Sequence, residues 1–92
     1  MKMIINTCFG GFGVREDIEK KLGLDTLYDE DEIRTNPELI AMIEAGEDVN
    51  GHCAKLEVVE IPDAATDYYL DEDDSAESII YVLDGKLHWA GE

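Results

Sequence analysis

Apolar residues at the start of the chain follow a strand pattern and then a helix pattern. Residues 2–8 form a short apolar run that predicts a buried first strand. Apolar side chains then recur at every fourth position from Val14 to Leu22, which is typical of one face of a helix. Gly23 follows directly and suits the left-handed residue that ends many helices.

A second helix is predicted after an acidic, irregular stretch at residues 24–35. Asn36 is a favourable N-cap residue, and Pro37 suits the first helical position. Apolar residues from Leu39 onward provide its buried face, and Gly46 ends it.

The second half of the chain predicts strands. Residues 54–61 form one strand and residues 68–70 a short third one. The acidic residues 71–78 indicate a solvated turn. In an extended segment Tyr68 and Tyr69 point to opposite faces, so we expect one of them to be exposed beside an acidic run.

Residues 78–90 contain the dipeptide Asp84-Gly85 between two β-rich runs, the pattern of a hairpin with a type I′ turn. Together the elements predict a single domain of the α+β class. We expect a mostly antiparallel sheet of about four to five strands, two helices packed on one face, and a C-terminal β-hairpin.

Charge adds a functional constraint to this picture. The 92 residues include 23 acidic and 7 basic side chains, a formal net charge of −16. Residues 1–24 carry four basic and three acidic side chains, whereas residues 25–92 carry three basic and twenty acidic ones. This charge repels polyanions, so direct binding of nucleic acid is disfavoured and a basic protein partner is favoured. Without a long apolar run we expect neither a signal peptide nor a membrane span, and two distant cysteines favour reduced thiols in the cytoplasm.

Three blocks of sequence resemble small acidic proteins of phages and prophages. They are IINTCFGGFG at the start, RTNPELIAMIE in the middle and CAKLEVVEIPDAATDYYLDEDDSAESI near the end. Such proteins open with I-N-x-C-aromatic-G-G-F-G and later carry Arg-x-x-Pro-Glu/Asp-Leu and A-x-L-x-V-V-E-I-P-D. The resemblance implies a phage origin and a bacterial host cytoplasm, but no activity. This chain differs from some of these proteins at residues 79–90, where they end in a more helical, basic stretch.

The glycine-rich segment between the first strand and the first helix has two interpretations. As an anion site, it would hold a phosphate with the backbone of Gly10, Gly11 and Gly13, helped by Asn6 and Arg15. As a tight corner, it would use glycine for positive φ or for close packing. The corner is favoured, because the segment matches neither common phosphate-loop pattern and acidic side chains already occupy the first helical turn.

No set of residues converges on catalysis, so we expect neither enzyme activity nor a cofactor. Cys8 would need His52 or His88 as its base, and no spacing brings either close, which favours a buried cysteine. His52 and Cys53 offer too few ligands for zinc. The acidic runs do not match a calcium loop, and no metal site is predicted.

Two acidic runs provide the candidate binding surface. They are either solvated faces that keep the protein soluble, or the contact residues for a basic partner with an exposed tyrosine as anchor. The net charge exceeds what solubility requires of a small domain, which favours a partner. The candidate residues are Asp29, Glu30, Asp31, Glu32, Tyr69, Asp71, Glu72, Asp73 and Asp74.

These observations predict a phage-encoded, non-enzymatic protein that binds and inhibits or modulates a host protein, as a nucleic-acid mimic or an anti-defence protein. The predicted partner has a basic surface. The alternative is a protein that binds or sequesters a nucleotide or another phosphate-bearing signal in the loop from Gly10 to Arg15. The sequence leaves the oligomeric state open.

Overall fold

The computed structural model describes residues 1–8, 12–24, 30–51, 54–73 and 76–90. The elements within these ranges are β1 (Lys2–Asn6), α1 (Glu16–Leu22), α2 (Glu30–Arg34), α3 (Pro37–Glu44), β2 (Leu56–Glu60), β3 (Asp67–Asp73), β4 (Ala76–Leu83) and β5 (Lys86–Ala90). This content confirms the α+β class. No helix in the described ranges is long and apolar enough to cross a membrane.

The strands form two antiparallel sheets, not the one sheet predicted. In the first, β1 pairs with β2 and Met3 lies opposite Val59. In the second, β4 lies between β3 and β5. The two sheets do not join because the edge of β1 that faces away from β2 is bonded to the side chains of Arg34 and Glu77.

Both faces of strand β1 are covered. Its side chains alternate in direction, so neighbouring residues pack into two different clusters. Ile4 packs into a cluster built with the three helices, whereas Met3 and Ile5 pack with Ile61 and with Ile79 of β4. The helix-side cluster consists of Ile4, Val14, Ile18, Ile33, Leu39, Ile40, Val49 and Leu56.

The helix ends follow the predicted capping chemistry. Gly23 ends α1 with φ 69°, and its N–H donates to the carbonyl of Glu19. The Oδ1 of Asn36 accepts from the backbone N–H groups of Glu38 and Leu39, each at 3.0 Å, and starts α3.

Two predicted loops are wrong. Residues 30–34, predicted as irregular, form α2, because packing of Ile33 and Arg34 in the interior overrides the weak local pattern. The solvated turn predicted at residues 71–78 is mostly strand, since β3 continues to Asp73 and β4 begins at Ala76. Burial of Glu77 and Ile79 holds this segment extended against β1.

Turn geometry accounts for the pairing of β4 with β5. Leu83 lies opposite Lys86, and the two residues between them, Asp84 and Gly85, have φ of 53° and 74°. Positive φ at both positions matches the twist of antiparallel strands, and Asp-Gly adopts it readily.

Candidate docking surface

The side of the β3–β4–β5 sheet that faces away from β1 carries a row of large apolar side chains. Tyr69, Ile80 and Trp89 lie directly opposite one another across the three strands. Val82 and Leu87 form a second cross-strand pair beside this row. We call this surface the outer face; its residues are Asp67, Tyr69 and Asp71 of β3, Ser78, Ile80 and Val82 of β4, and Leu87 and Trp89 of β5.

The outer face is open to solvent at both of its margins. Tyr69 is 51% exposed, Trp89 50% and Leu87 57%. On the opposite side of the same strand, the neighbour of Ile80, Ile79, is fully buried against β1. Several adjoining exposed apolar side chains, unlike single ones, mark a surface suited to a partner.

Carboxylates flank Tyr69 along β3. Its hydroxyl donates to Asp67 Oδ2 at 2.8 Å, and this hydrogen bond, together with the negative charge, raises the pKa of Tyr69 above its ordinary value. Asp71 is exposed on the other side of Tyr69. Residues four apart in an antiparallel strand are separated by about 14 Å, so the tyrosine stands between two acidic side chains.

The predicted partner-binding residues divide between surfaces. Tyr69 and Asp71 belong to the outer face, whereas Glu72 lies on the opposite side of β3, across from Glu77. Tyr68 also lies on that opposite side and is 45% exposed, so both tyrosines are accessible.

The other acidic candidates are placed only in part. Glu32 is exposed on α2. For Glu30, Asp31 and Asp73 the structure describes the backbone alone, and Asp29 and Asp74 lie outside the described residues.

A buried ion pair that sequence reasoning missed holds the two sheets together. The side chains of Arg34 in α2 and Glu77 in β4 are 4% and 3% exposed, and their atoms are joined by two hydrogen bonds of 2.8 Å each. Arg34 also donates to the carbonyl of Ile4 at 3.1 Å, and Glu77 accepts from the N–H of Asn6 at 2.7 Å. The guanidinium lies 4.1 Å from the ring centre of Phe12.

This pair takes the place of a neighbouring strand. Ile4 and Asn6 direct their backbone groups to the side of β1 opposite β2, where a further strand would bind. The carboxylate and guanidinium satisfy that edge and block strand pairing there. Glu77 lies on the inner face of β4 because it shares the two-residue period of Ile79 and Tyr81. This period in the sequence could have revealed that Glu77 faces the interior.

The described part of the glycine-rich segment forms a close backbone contact. The backbone N–H of Gly51 donates to the carbonyl of Gly13 at 2.9 Å, and the backbone N–H of Arg15 donates to the carbonyl of Val49 at 2.8 Å. A Cβ on Gly51 would lie 2.8 Å from the carbonyl carbon of Gly13, whereas one on Gly13 would meet nothing closer than 3.9 Å. Gly10 and Gly11 lie outside the described residues.

The two polar side chains predicted to help bind a phosphate have partners within the protein. Asn6 is fully buried; its Nδ2 donates to the carbonyl of Cys8 and its Oδ1 accepts from the N–H of Lys55. Arg15 Nε donates to Asp17 Oδ1 at 2.6 Å, which raises the pKa of the arginine and lowers that of the aspartate.

Of the remaining chemical candidates, the structure describes Cys8 and His88. Cys8 is a half-buried free thiol two residues after the end of β1. His88 stacks on Tyr81 with ring centres 5.2 Å apart. His52 and Cys53 lie outside the described residues. Within the described ranges, no three potential metal ligands lie together.

Comparison of the chain with protein-family models, with curated proteins and with solved structures finds no match in any of the three. The function must therefore be inferred from the surface itself.

Proposed function

We propose that this chain is a non-enzymatic, phage-encoded acidic protein that binds a bacterial host protein and inhibits or modulates it in the cytoplasm. The observation that carries the proposal is the outer face, where Tyr69 and Trp89 are half exposed in one row and Asp67 and Asp71 flank the tyrosine. Tyrosine and tryptophan are enriched among the residues that contribute most of the binding energy of interfaces.

Charge specifies the partner. A chain of net charge −16 attracts a basic surface over long range and speeds its association. The structure therefore supports attraction to a basic surface, such as that of a nucleic-acid-binding protein.

The phosphate-binding alternative draws less support from the described residues. Arg15 is bonded to Asp17, and Asn6 is buried at the end of β1, where its side chain accepts from the N–H of Lys55. The backbone of Gly13 is also packed against Gly51, where any side chain on residue 51 would collide with it.

The test is native mass spectrometry of tagged protein recovered gently from phage-infected bacterial cells. We expect a stoichiometric host protein that is released by raising the salt concentration, since salt screens the attraction. A mass increment of a few hundred daltons, with no host protein bound, would overturn the proposal in favour of a small ligand.

Matched variants locate the contact once the host protein has been purified. Asp71→Lys changes an exposed carboxylate on the outer face, and Glu57→Lys makes the same change on β2 of the other sheet. We expect Asp71→Lys to slow association and Trp89→Ala to weaken binding by about 30-fold, the loss typical of an interface hot spot. Equal effects of Asp71→Lys and Glu57→Lys would show that only total charge matters.

A further inference from the structure

Four of the described strands, β1, β2, β3 and β5, lie at sheet edges, and these edges differ sharply in charge. The edge of β1 is closed by Arg34 and Glu77. The edge strand β2 carries two glutamates, and β3 carries four acidic residues among its seven. Strand β5, with the sequence KLHWA, carries no carboxylate in a chain that has 23.

Strand β5 also lacks the protection common at edge strands. Proteins block such edges with charged side chains, proline or bulges, because unpaired N–H and C=O groups attract another strand. Here Leu87 and Trp89 are at least half exposed, and Lys86 at the turn is the only Lys, Arg, Asp or Glu of β5. Among the described elements, β5 is hydrogen-bonded to β4 alone.

We propose that β5 pairs with β5 of a second copy of this chain in antiparallel fashion, forming a continuous six-stranded sheet in a twofold-symmetric dimer. The occupant is a second copy because β5 offers no negative charge to a basic partner and is the edge where two acidic chains repel each other least. The pairing keeps the carboxylates of each β3 at the outer margins, where they stay available.

Hairpin geometry fixes the register. In a two-residue hairpin the flanking residues, Leu83 and Lys86, exchange hydrogen bonds, and alternate residues of β5 do the same. Leu87 and Trp89 therefore direct their backbone groups to the free edge. Pairing centred on His88 sets Leu87 of each copy opposite Trp89 of the other, which brings four apolar side chains together in two neighbouring cross-strand pairs.

The experiment is sedimentation equilibrium of the isolated chain at 0.15 M and 1 M NaCl, so its outcome does not depend on any host partner. We expect a mass approaching twice 10.3 kDa with rising concentration, at lower concentrations in 1 M salt, because salt screens repulsion between the two chains. A mass of 10.3 kDa at millimolar protein in both salts, or assembly beyond the dimer, overturns the proposal.

A pair of variants distinguishes edge pairing from stacking of outer faces. Leu87→Lys and Tyr69→Lys both replace an exposed residue of the outer face, and both reduce the net negative charge by the same amount. Only Leu87 lies on β5. We expect Leu87→Lys to raise the dissociation constant by about tenfold or more, since symmetry doubles the change, and Tyr69→Lys to leave it unchanged. Equal weakening by both variants would overturn edge pairing.

Hydrogen exchange of the unmodified chain provides a readout that needs no variant. The backbone N–H groups of Leu87 and Trp89 should become protected as the protein concentration rises. Unchanged exchange at these two positions in a sample of dimer mass would overturn the proposed pairing.

Discussion

The two sheets of this protein bury their apolar residues in different ways. The β1–β2 sheet is covered on both faces, by the helices through Ile4 and by β4 through Met3 and Ile5. The β3–β4–β5 sheet is covered along the inner face of β4, and its outer face leaves Tyr69 and Trp89 half exposed. An apolar strand pattern therefore specifies a strand, and the cover available within the chain decides which face of that strand stays exposed.

The largest expected effect is at the ion pair that joins the sheets. Replacing Glu77 with Gln leaves a buried arginine charge uncompensated, which should lower the free energy of unfolding by about 3–5 kcal/mol. Urea denaturation checks this value. The control is Glu44→Gln, which removes the half-exposed partner of Lys2 and should cost far less, because solvent screens that pair.

The ion pair also predicts a compensating double variant. Glu77→Leu combined with Arg34→Met should be less destabilising than Glu77→Leu alone, because no charge is then buried without its partner. A double variant at least as unstable as the single one would contradict this account of the ion pair.

An intermediate effect is expected where Gly13 and Gly51 approach each other. Gly51→Ala places a Cβ 2.8 Å from the backbone of Gly13 and should cost about 1–3 kcal/mol through overpacking. Gly13→Ala meets only an ordinary contact at 3.9 Å and serves as the control. Thermal unfolding of both variants decides; equal destabilisation would mean that the contact is not what requires glycine at residue 51.

The smallest effect concerns an exposed pair at the start of β1. The N-terminal ammonium of Met1 donates to Asp63 at 2.9 Å and lowers the pKa of that carboxyl. Because the folded pKa is depressed, the stabilisation is present above the ordinary aspartate value and is lost as the pH falls through the folded one.

An NMR titration measures this shift directly. The midpoint of Asp63 should lie below the ordinary value of about 3.9, and a Gly-Ser extension before Met1 should bring it back up. Asp17, whose pKa is lowered chiefly by Arg15, is the internal control and should not respond to the extension. A midpoint for Asp63 that is unaffected by the extension would contradict the assignment to the ammonium group.

The sequence predicts local structure here much better than it predicts long-range structure. Capping at Asn36 and the end of α1 at Gly23 depend on neighbouring residues, so they could be predicted. The division into two sheets depends on contact between Arg34 and Glu77, which are 43 positions apart, and no local pattern encodes that distance.

The candidate surface was only partly predictable for the same reason. The acidic run and Tyr69 could be found by composition and alternation. Trp89 and Ile80 join them through strand pairing between β3, β4 and β5, which a short predicted third strand did not specify. The register, and hence the apolar row, required the structure.

One face of β4 packs into the core, and we claim that the opposite face lies outside it. Ile79 and Ile80 test this division, since they are adjacent, identical in type and on opposite faces. Urea denaturation of the isolated chain should show that Ile79→Ala costs about 2–5 kcal/mol and Ile80→Ala about 1 kcal/mol or less. Equal costs would contradict the claim, because the outer face would then be part of the core.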